Sequence, residues 1–179
     1  MTTIAVNLKE IAADTRCSLE GVSTDIYSTV KIFVGKEALY AVTGEDTDGS
    51  NICVEWLQSG TGIQSRPDRP EICTWDWKVI ELSYEGISFY NTYFERDIII
   101  EPFSSFGSGR KVAYYCMKYL GMSPAEAVRE ACKVDHYSEL PIYHALLSDL
   151  EIVQWKPPKK TRKKSIPTAA ETHPTNHSD

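Results

Sequence analysis

The sequence predicts an α+β fold, a four-layer αββα sandwich in which two antiparallel sheets lie between helices. Three observations carry this reading. Short β-rich runs follow one another at both ends of the first hundred residues. Two helical patterns come together after them, over 109–121 and 123–138, and a last β-rich run closes the folded part. Strands and helices are thus grouped rather than alternating, which disfavours a parallel sheet with crossover helices. A chain of 179 residues suits one such domain with one sizeable core.

Taken in order, TTIAVN (2–7) and EIAAD (10–14) read as two short strands joined by a tight turn. DIYSTVKIFVG and EALYAVTG read as a second pair, with Gly35-Lys36 at the turn. In DTDGSNICVEWLQSG the period changes, and Ile52, Val54, Trp56 and Leu57 fall in a short helical segment. Residues 59–74 are loop-like, with Gly and Pro punctuation. WDWKVIELS and GISFYNTYF flank Tyr84-Glu85-Gly86 as a hairpin. RDIIIEPFSSFGSG reads as one further strand running into a Gly-Ser-Gly turn.

The first late helix, GRKVAYYCMKYLG, places Val112, Cys116 and Leu120 on one stripe with Ala113 and Met117 beside it. Gly121 is its stop. The second opens with Ser123, Pro124 and Glu126, a capping box with proline at the first helical position. Ala127, Val128, Ala131 and Cys132 form its apolar stripe. DLEIVQWK is the closing strand. Residues 156–179, rich in Pro, Lys and Thr with one large apolar residue, are expected to be a disordered tail behind a domain of residues 1–155.

Composition excludes several classes. No apolar run approaches the roughly 20 residues that span a bilayer. The first 16 residues carry Lys9, Glu10, Asp14 and Arg16, so no secretory leader and a cytoplasmic location are expected. Five cysteines with no C-x-x-C pair speak against a disulfide framework and a zinc site, and no cofactor is expected. His136 and His144 have no companion ligand cluster and read as structural or surface residues. The net charge of −6 divides unevenly. Residues 156–179 hold six basic and two acidic residues, which leaves 13 basic and 23 acidic in the body. Such a body is a poor nucleic-acid binder, and the basic tail alone could attract one.

Several polar residues sit where local pattern does not ask for them. Asp14 ends an apolar strand, and Lys31 interrupts another. Gly44 ends a third, Ser108 occupies the Gly-Ser-Gly turn, and Asp135 and Ser138 follow the second late helix. Each alone has an ordinary explanation: an edge lysine, a turn aspartate, a helix N-cap. Together with Thr2 they resemble the catalytic β-subunits of the proteasome and the bacterial HslV-type peptidase, members of the N-terminal nucleophile hydrolase superfamily. The resemblance runs from residue 2 to about residue 154 and rests on TTIAV, AADTR, VKIF, TGEDTD, GSG and DHYS.

The resemblance implies Thr2 as nucleophile, with Asp14, Lys31, Gly44, Ser108, Asp135 and Ser138 completing the catalytic set. It also implies that Cys17, Ser18 and Val42 line the bound peptide. The chain departs from the family in its short first hairpin, where Asp14 lies 12 residues after Thr2, and in having room for only one short helix between residues 48 and 75.

The chemistry implied is coherent. A threonine hydroxyl is a weak nucleophile that needs a base. At a chain start the residue's own α-amine can serve, since its ordinary pKa of about 7.7–8.0 lies near neutrality. A lysine nearby disfavours the ammonium form, and an aspartate holds the lysine in place. A free amine requires removal of Met1, which threonine at position 2 permits. The resemblance further implies peptide or unfolded-protein substrates, a homo-oligomeric ring and an ATP-dependent unfoldase as a potential partner. The alternative is a catalytically inactive ring or scaffold subunit that keeps the fold.

Overall fold

The computed structural model describes residues 2–18, 26–44, 47–59 and 76–157, with the backbone alone at 17–18, 26–28 and 47–48. Two five-stranded antiparallel sheets make up most of it. The first has the order β10-β1-β2-β11-β12, formed by Phe103–Gly107, Thr3–Asn7, Glu10–Asp14, Ile142–Leu146 and Glu151–Gln154. The second has the order β5-β6-β7-β8-β9, formed by Ile32–Val34, Ala38–Gly44, Trp77–Ser83, Gly86–Tyr90 and Arg96–Ile99. A small ribbon pairs β3 (Arg16–Ser18) with β4 (Ile26–Ser28). Helix α1 (Thr47–Gln58) covers β6 and β7, while α2 (Arg110–Leu120) and α3 (Pro124–Cys132) cover β1, β2 and β10. The layers are therefore helix, sheet, sheet, helix, as the sequence predicts.

Alternation along β1 and β2 explains the stacking. Ile4, Val6, Ile11 and Ala13 point between the sheets and meet Leu39, Ala41, Ile80, Leu82 and Ile87. Each fully buried Leu or Ile contributes roughly 1.5–3 kcal/mol. Ala5 and Ala12 point the other way and meet Ala113, Ala125, Ala127, Val128 and Ala131. Small side chains on both surfaces let α3 sit close to the sheet, which draws the segment after α3 toward the start of β1. The same segments bury both faces of β1, so it reads as a continuous apolar run rather than an alternating one.

Four local expectations are revised. The single strand expected over DIYSTVKIFVG is two: the Thr29 N–H bonds the Thr15 carbonyl at 2.9 Å, and the chain passes from β4 to β5 with Lys31 between them. RDIIIEPFSSFGSG is also two strands, in different sheets, parted at Pro102, which has no N–H to continue a ladder. Strand β11 was not expected. It pairs with both β2 and β12. Its polar His144 is accommodated by Glu10 on β2, 2.7 Å away. Burial raises the Glu10 carboxyl pKa, and His144 offsets part of that rise. Leu120 is 55% exposed, because the buried stripe of α2 is Ala113, Cys116 and Met117.

The capping box at Ser123 and Glu126 forms as expected. Helix α2 also stops where expected, at Gly121 in the left-handed region. The tail expected over 156–179 lies, beyond residue 157, outside the described residues. Among the described residues no helix is long and apolar enough to cross a membrane.

Candidate active site

Thr2, immediately before β1, is buried beside the C-terminal end of β2 and the residue that precedes β5. Its hydroxyl donates to Asp14 Oδ1 and accepts from Lys31 Nζ. Lys31 Nζ also lies 3.1 Å from Asp14 Oδ1 and donates to the Arg16 carbonyl at 2.5 Å. The pair is enclosed, with side-chain exposures of 5% for Lys31 and 0% for Asp14.

A buried ion pair survives only when its remaining hydrogen-bonding capacity is met. Asp14 meets this condition. Its Oδ1 accepts the Thr3 N–H at 2.8 Å, and its Oδ2 accepts the Arg16 N–H at 3.1 Å and the Glu139 N–H at 3.2 Å. The Arg16 and Glu139 amides come from segments flanking β2 and β11, so the sheet itself shapes the carboxylate's cradle.

A second carboxylate cluster lies on the helix side of β1. Asp135 Oδ2 accepts from the Ser108 and Ser138 hydroxyls, each at 2.6 Å. Burial opposes charge on Asp135. The Ser108 and Ser138 hydroxyls, followed by the Tyr137 N–H, outweigh it and hold the carboxyl below the usual range. Ser108 is not the helix cap that its Gly-Ser-Gly context suggests: Gly109 is the N-cap of α2, without a side-chain cap bond. The Ser108 N–H donates to the Thr2 carbonyl at 2.9 Å, which ties the second cluster to the first.

The depressed carboxyl pKa has a consequence for stability. An unfolded aspartate titrates near a pKa of about 3.9. The ionised Asp135 therefore contributes stability that is fully present above that value and is lost as pH falls through the lower folded value. Asp135→Asn is expected to be less stable than the parent at pH 7, with the difference shrinking steadily below about pH 4. Urea unfolding of both proteins at a series of pH values checks this.

Gly107 makes the junction possible. It has φ of 85° and stands opposite Thr3 in the β1–β10 register. A Cβ built there would lie 1.7 Å from the Thr2 carbonyl oxygen and 3.4 Å from Thr43 Oγ1. The backbone strain and the clash act together, so Gly107→Ala is expected to cost at least about 2 kcal/mol. It should also displace Thr2, and urea unfolding alongside thermal melting measures the first effect.

The predicted site residues therefore divide. Thr2, Asp14 and Lys31 touch one another, and Ser108 and Ser138 both bond Asp135. Gly44 ends β6 opposite Trp77, with φ of 138°, one residue beyond Thr43. Val42 is half-buried against the cluster under α1, and its N–H donates to the Lys31 carbonyl at 3.0 Å. Cys17 and Ser18 lie on β3, where only the backbone is described.

Two participants were not read from the sequence. The Arg16 carbonyl that receives Lys31 has no side-chain signature. Thr3 looks like any β-branched strand residue, yet its N–H reaches Asp14 and its hydroxyl reaches Ser138. The Cys132 thiol is no competing nucleophile. Burial, followed by Asp14 and Asp135, pushes its pKa up to about 12. No group of three or more His, Cys, Asp or Glu side chains able to hold a metal occurs among the described residues.

No family model matches the sequence, and no curated protein matches it either. Solved structures do match. Eukaryotic HslV from Trypanosoma brucei superposes with a TM-score of 0.65 at 16% identity, over 80% of this chain and 98% of that one. BPH from Thiobacillus denitrificans gives a TM-score of 0.56 at 17% identity, over 88% and 99% of the two chains. The same protein in complex with epoxomicin gives 0.53 at 16% identity, over 87% and 99%. At these identities the likeness establishes the fold: this chain has the four-layer sandwich of the HslV and BPH structures.

Proposed function

We propose that this chain is a threonine peptidase of the proteasome and HslV type, acting through Thr2 once Met1 is removed. One observation carries the reading: the Thr2 hydroxyl lies in hydrogen-bonding contact with both members of a buried, fully satisfied Lys31–Asp14 pair. A strand threonine has no need of such neighbours, and taking a lysine and an aspartate out of water is costly even when they are paired.

In this reading the neutral α-amine of Thr2 takes the hydroxyl proton, directly or through a water. The Thr2 oxygen attacks the scissile carbonyl carbon and forms a tetrahedral oxyanion. The Gly44 N–H stabilises that oxyanion, a contribution whose loss typically costs about 10²–10³ in rate. Collapse breaks the C–N bond, the leaving amine takes the proton from the Thr2 ammonium, and an acyl ester remains on Thr2. Water, deprotonated by the same amine, hydrolyses the ester. Lys31 keeps the amine neutral by its charge, Asp14 holds Lys31, and Ser108, Asp135 and Ser138 orient the amine end. The substrate is an extended peptide added as a strand beside β6, and the family resemblance puts Ser18 beside it, with Cys17 and Val42 near its specificity pocket. The family resemblance adds a homo-oligomeric ring, which light scattering on the purified protein would detect.

Covalent capture tests the reading. Epoxomicin, the compound in complex with the Thiobacillus protein, is incubated with the full chain, and intact mass and peptide mapping follow. The expected result is a chain that begins at Thr2 and carries one adduct on that residue. A chain that retains Met1 and stays unlabelled would overturn the proposal.

A further inference from the structure

We propose that Thr3 is a positioning residue of this site, whose hydroxyl fixes the hydrogen-bond direction of the Ser138–Asp135–Ser108 cluster. The inference rests on the threonine-peptidase reading for its effect on turnover, and on geometry for its effect on the cluster. Thr3 is 0% exposed. Strand alternation turns its side chain toward α2 and α3, away from the face that carries Thr2.

The direction follows from which groups can only donate or only accept. The Gly109 N–H can only donate, and it donates to Thr3 Oγ1 at 3.0 Å. An ionised Asp135 can only accept, and its Oδ2 lies 2.6 Å from Ser138 Oγ. Ser138 has one hydrogen, which goes to Asp135. Thr3 Oγ1 lies 2.6 Å from Ser138 Oγ, so the Thr3 hydrogen goes to Ser138. The 3.5 Å contact of Thr3 with Asp135 is too long to compete. The chain of bonds therefore runs one way: Gly109 N–H, Thr3, Ser138, Asp135. Ser108 likewise spends its one hydrogen on Asp135 at 2.6 Å rather than on the Thr2 carbonyl at 3.4 Å.

Both serine oxygens are then left with lone pairs and no hydrogen to offer. In the peptidase reading, where these serines orient the Thr2 amine, its N–H groups meet acceptors and its own lone pair meets no donor. That lone pair stays available for the hydroxyl or a water. Thr3 also binds the other half of the site, because its N–H donates to Asp14 Oδ1 at 2.8 Å. One residue thus ties the Lys31–Asp14 pair to the Asp135 cluster. The fit leaves no slack, since a Cβ on Gly109 would come within 2.2 Å of Thr3 Oγ1. The ionisable groups around this junction are Asp14 of β2, Lys31, Cys132 of α3 and, after processing, the Thr2 amine. Cys132 feels Asp14, Asp135 and Lys31 alike.

Thr3→Val keeps the branched shape and removes the hydroxyl, and Thr3→Ser restores the hydroxyl alone. Three readouts are taken on the full chain: peptide kcat and KM, the pH profile of kcat, and the titration of the Asp135 carboxyl by ¹³C NMR. Thr3→Val is expected to lower kcat about tenfold or more with KM nearly unchanged. Its Asp135 carboxyl should titrate at higher pH than in the parent. Thr3→Ser should restore both the rate and the titration. If the valine protein does not keep the parental circular dichroism, Thr3→Ala takes its place. An unchanged Asp135 titration in Thr3→Val, or equal impairment of Thr3→Val and Thr3→Ser, would overturn the inference. A parent without Thr2-dependent turnover would instead sink the peptidase reading, and the carboxyl titration would still decide the placement of Thr3.

Discussion

Thr2→Ala is expected to fold like the parent and to hydrolyse peptides at least about 10³-fold more slowly. The substitution removes the hydroxyl and a methyl group and nothing else the fold depends on. The Thr2 carbonyl remains bonded to the Ser108 N–H, and Lys31 keeps both Asp14 and the Arg16 carbonyl as partners. Alanine at position 2 is as small as threonine for removal of Met1, so the free amine survives and the base is not lost with the nucleophile. Any fall in rate therefore belongs to the hydroxyl. Thr2→Ser separates chemistry from orientation. It keeps the nucleophile but loses the β-branch that restricts χ1, and a rate within about tenfold of the parent is expected. Turnover of a fluorogenic peptide, with intact mass of each protein, decides the matter. Equal rates for the alanine protein and the parent would leave the inactive-scaffold alternative standing.

How far the sequence reveals this site depends on how local each signal is. The capping box at Ser123, the stop at Gly121 and the hairpin around Gly86 are set by a few adjacent residues, and each forms where read. The break between β4 and β5 and the crossing between β9 and β10 are decisions about partners, made by distant strands. Only Pro102 announces one of them locally. Strand β11 has no clear local signal because His144 breaks its apolar pattern, and the Glu10 that accommodates it lies on another strand.

The same distinction governs the candidate site residues. Lys31 and Asp14 stand out because charge in an apolar strand contradicts the pattern around it, and such contradictions gather at functional sites. Ser108 shows the limit of local rules, since its sequence context argues for a helix cap and its hydroxyl binds Asp135 instead. Thr3 gives no contradiction at all. A threonine in a strand satisfies β-propensity, and only the packing of α3 on Ala5 and Ala12 brings Ser138 to it.

Lys31→Met should produce two losses with different origins. Turnover is expected to fall by about 10²–10⁴, because the hydroxyl loses its cationic neighbour and the amine is no longer held neutral. The sign of the second effect is definite: without a positive charge nearby, the ammonium form is favoured and the amine pKa rises. Residual activity should therefore appear only at higher pH than in the parent. Stability should also fall, since Asp14 keeps its charge at 0% exposure without its counter-ion. Breaking a buried pair costs about 3–5 kcal/mol. The lower end of that range is expected here, because the Thr3, Arg16 and Glu139 N–H groups still serve the carboxylate. Adding Asp14→Asn removes the stranded charge and should recover part of the stability. The recovery is partial because the new amide NH₂ must face N–H donors. Turnover should remain lost in the double variant, as neither substitution restores a cation beside Thr2. Urea unfolding and peptide turnover on the four proteins of this cycle separate the two effects. A Lys31→Met protein that turns over peptide at the parental rate and pH would remove Lys31 from the mechanism, and a double variant that recovered activity with its stability would show that the pair serves the fold alone.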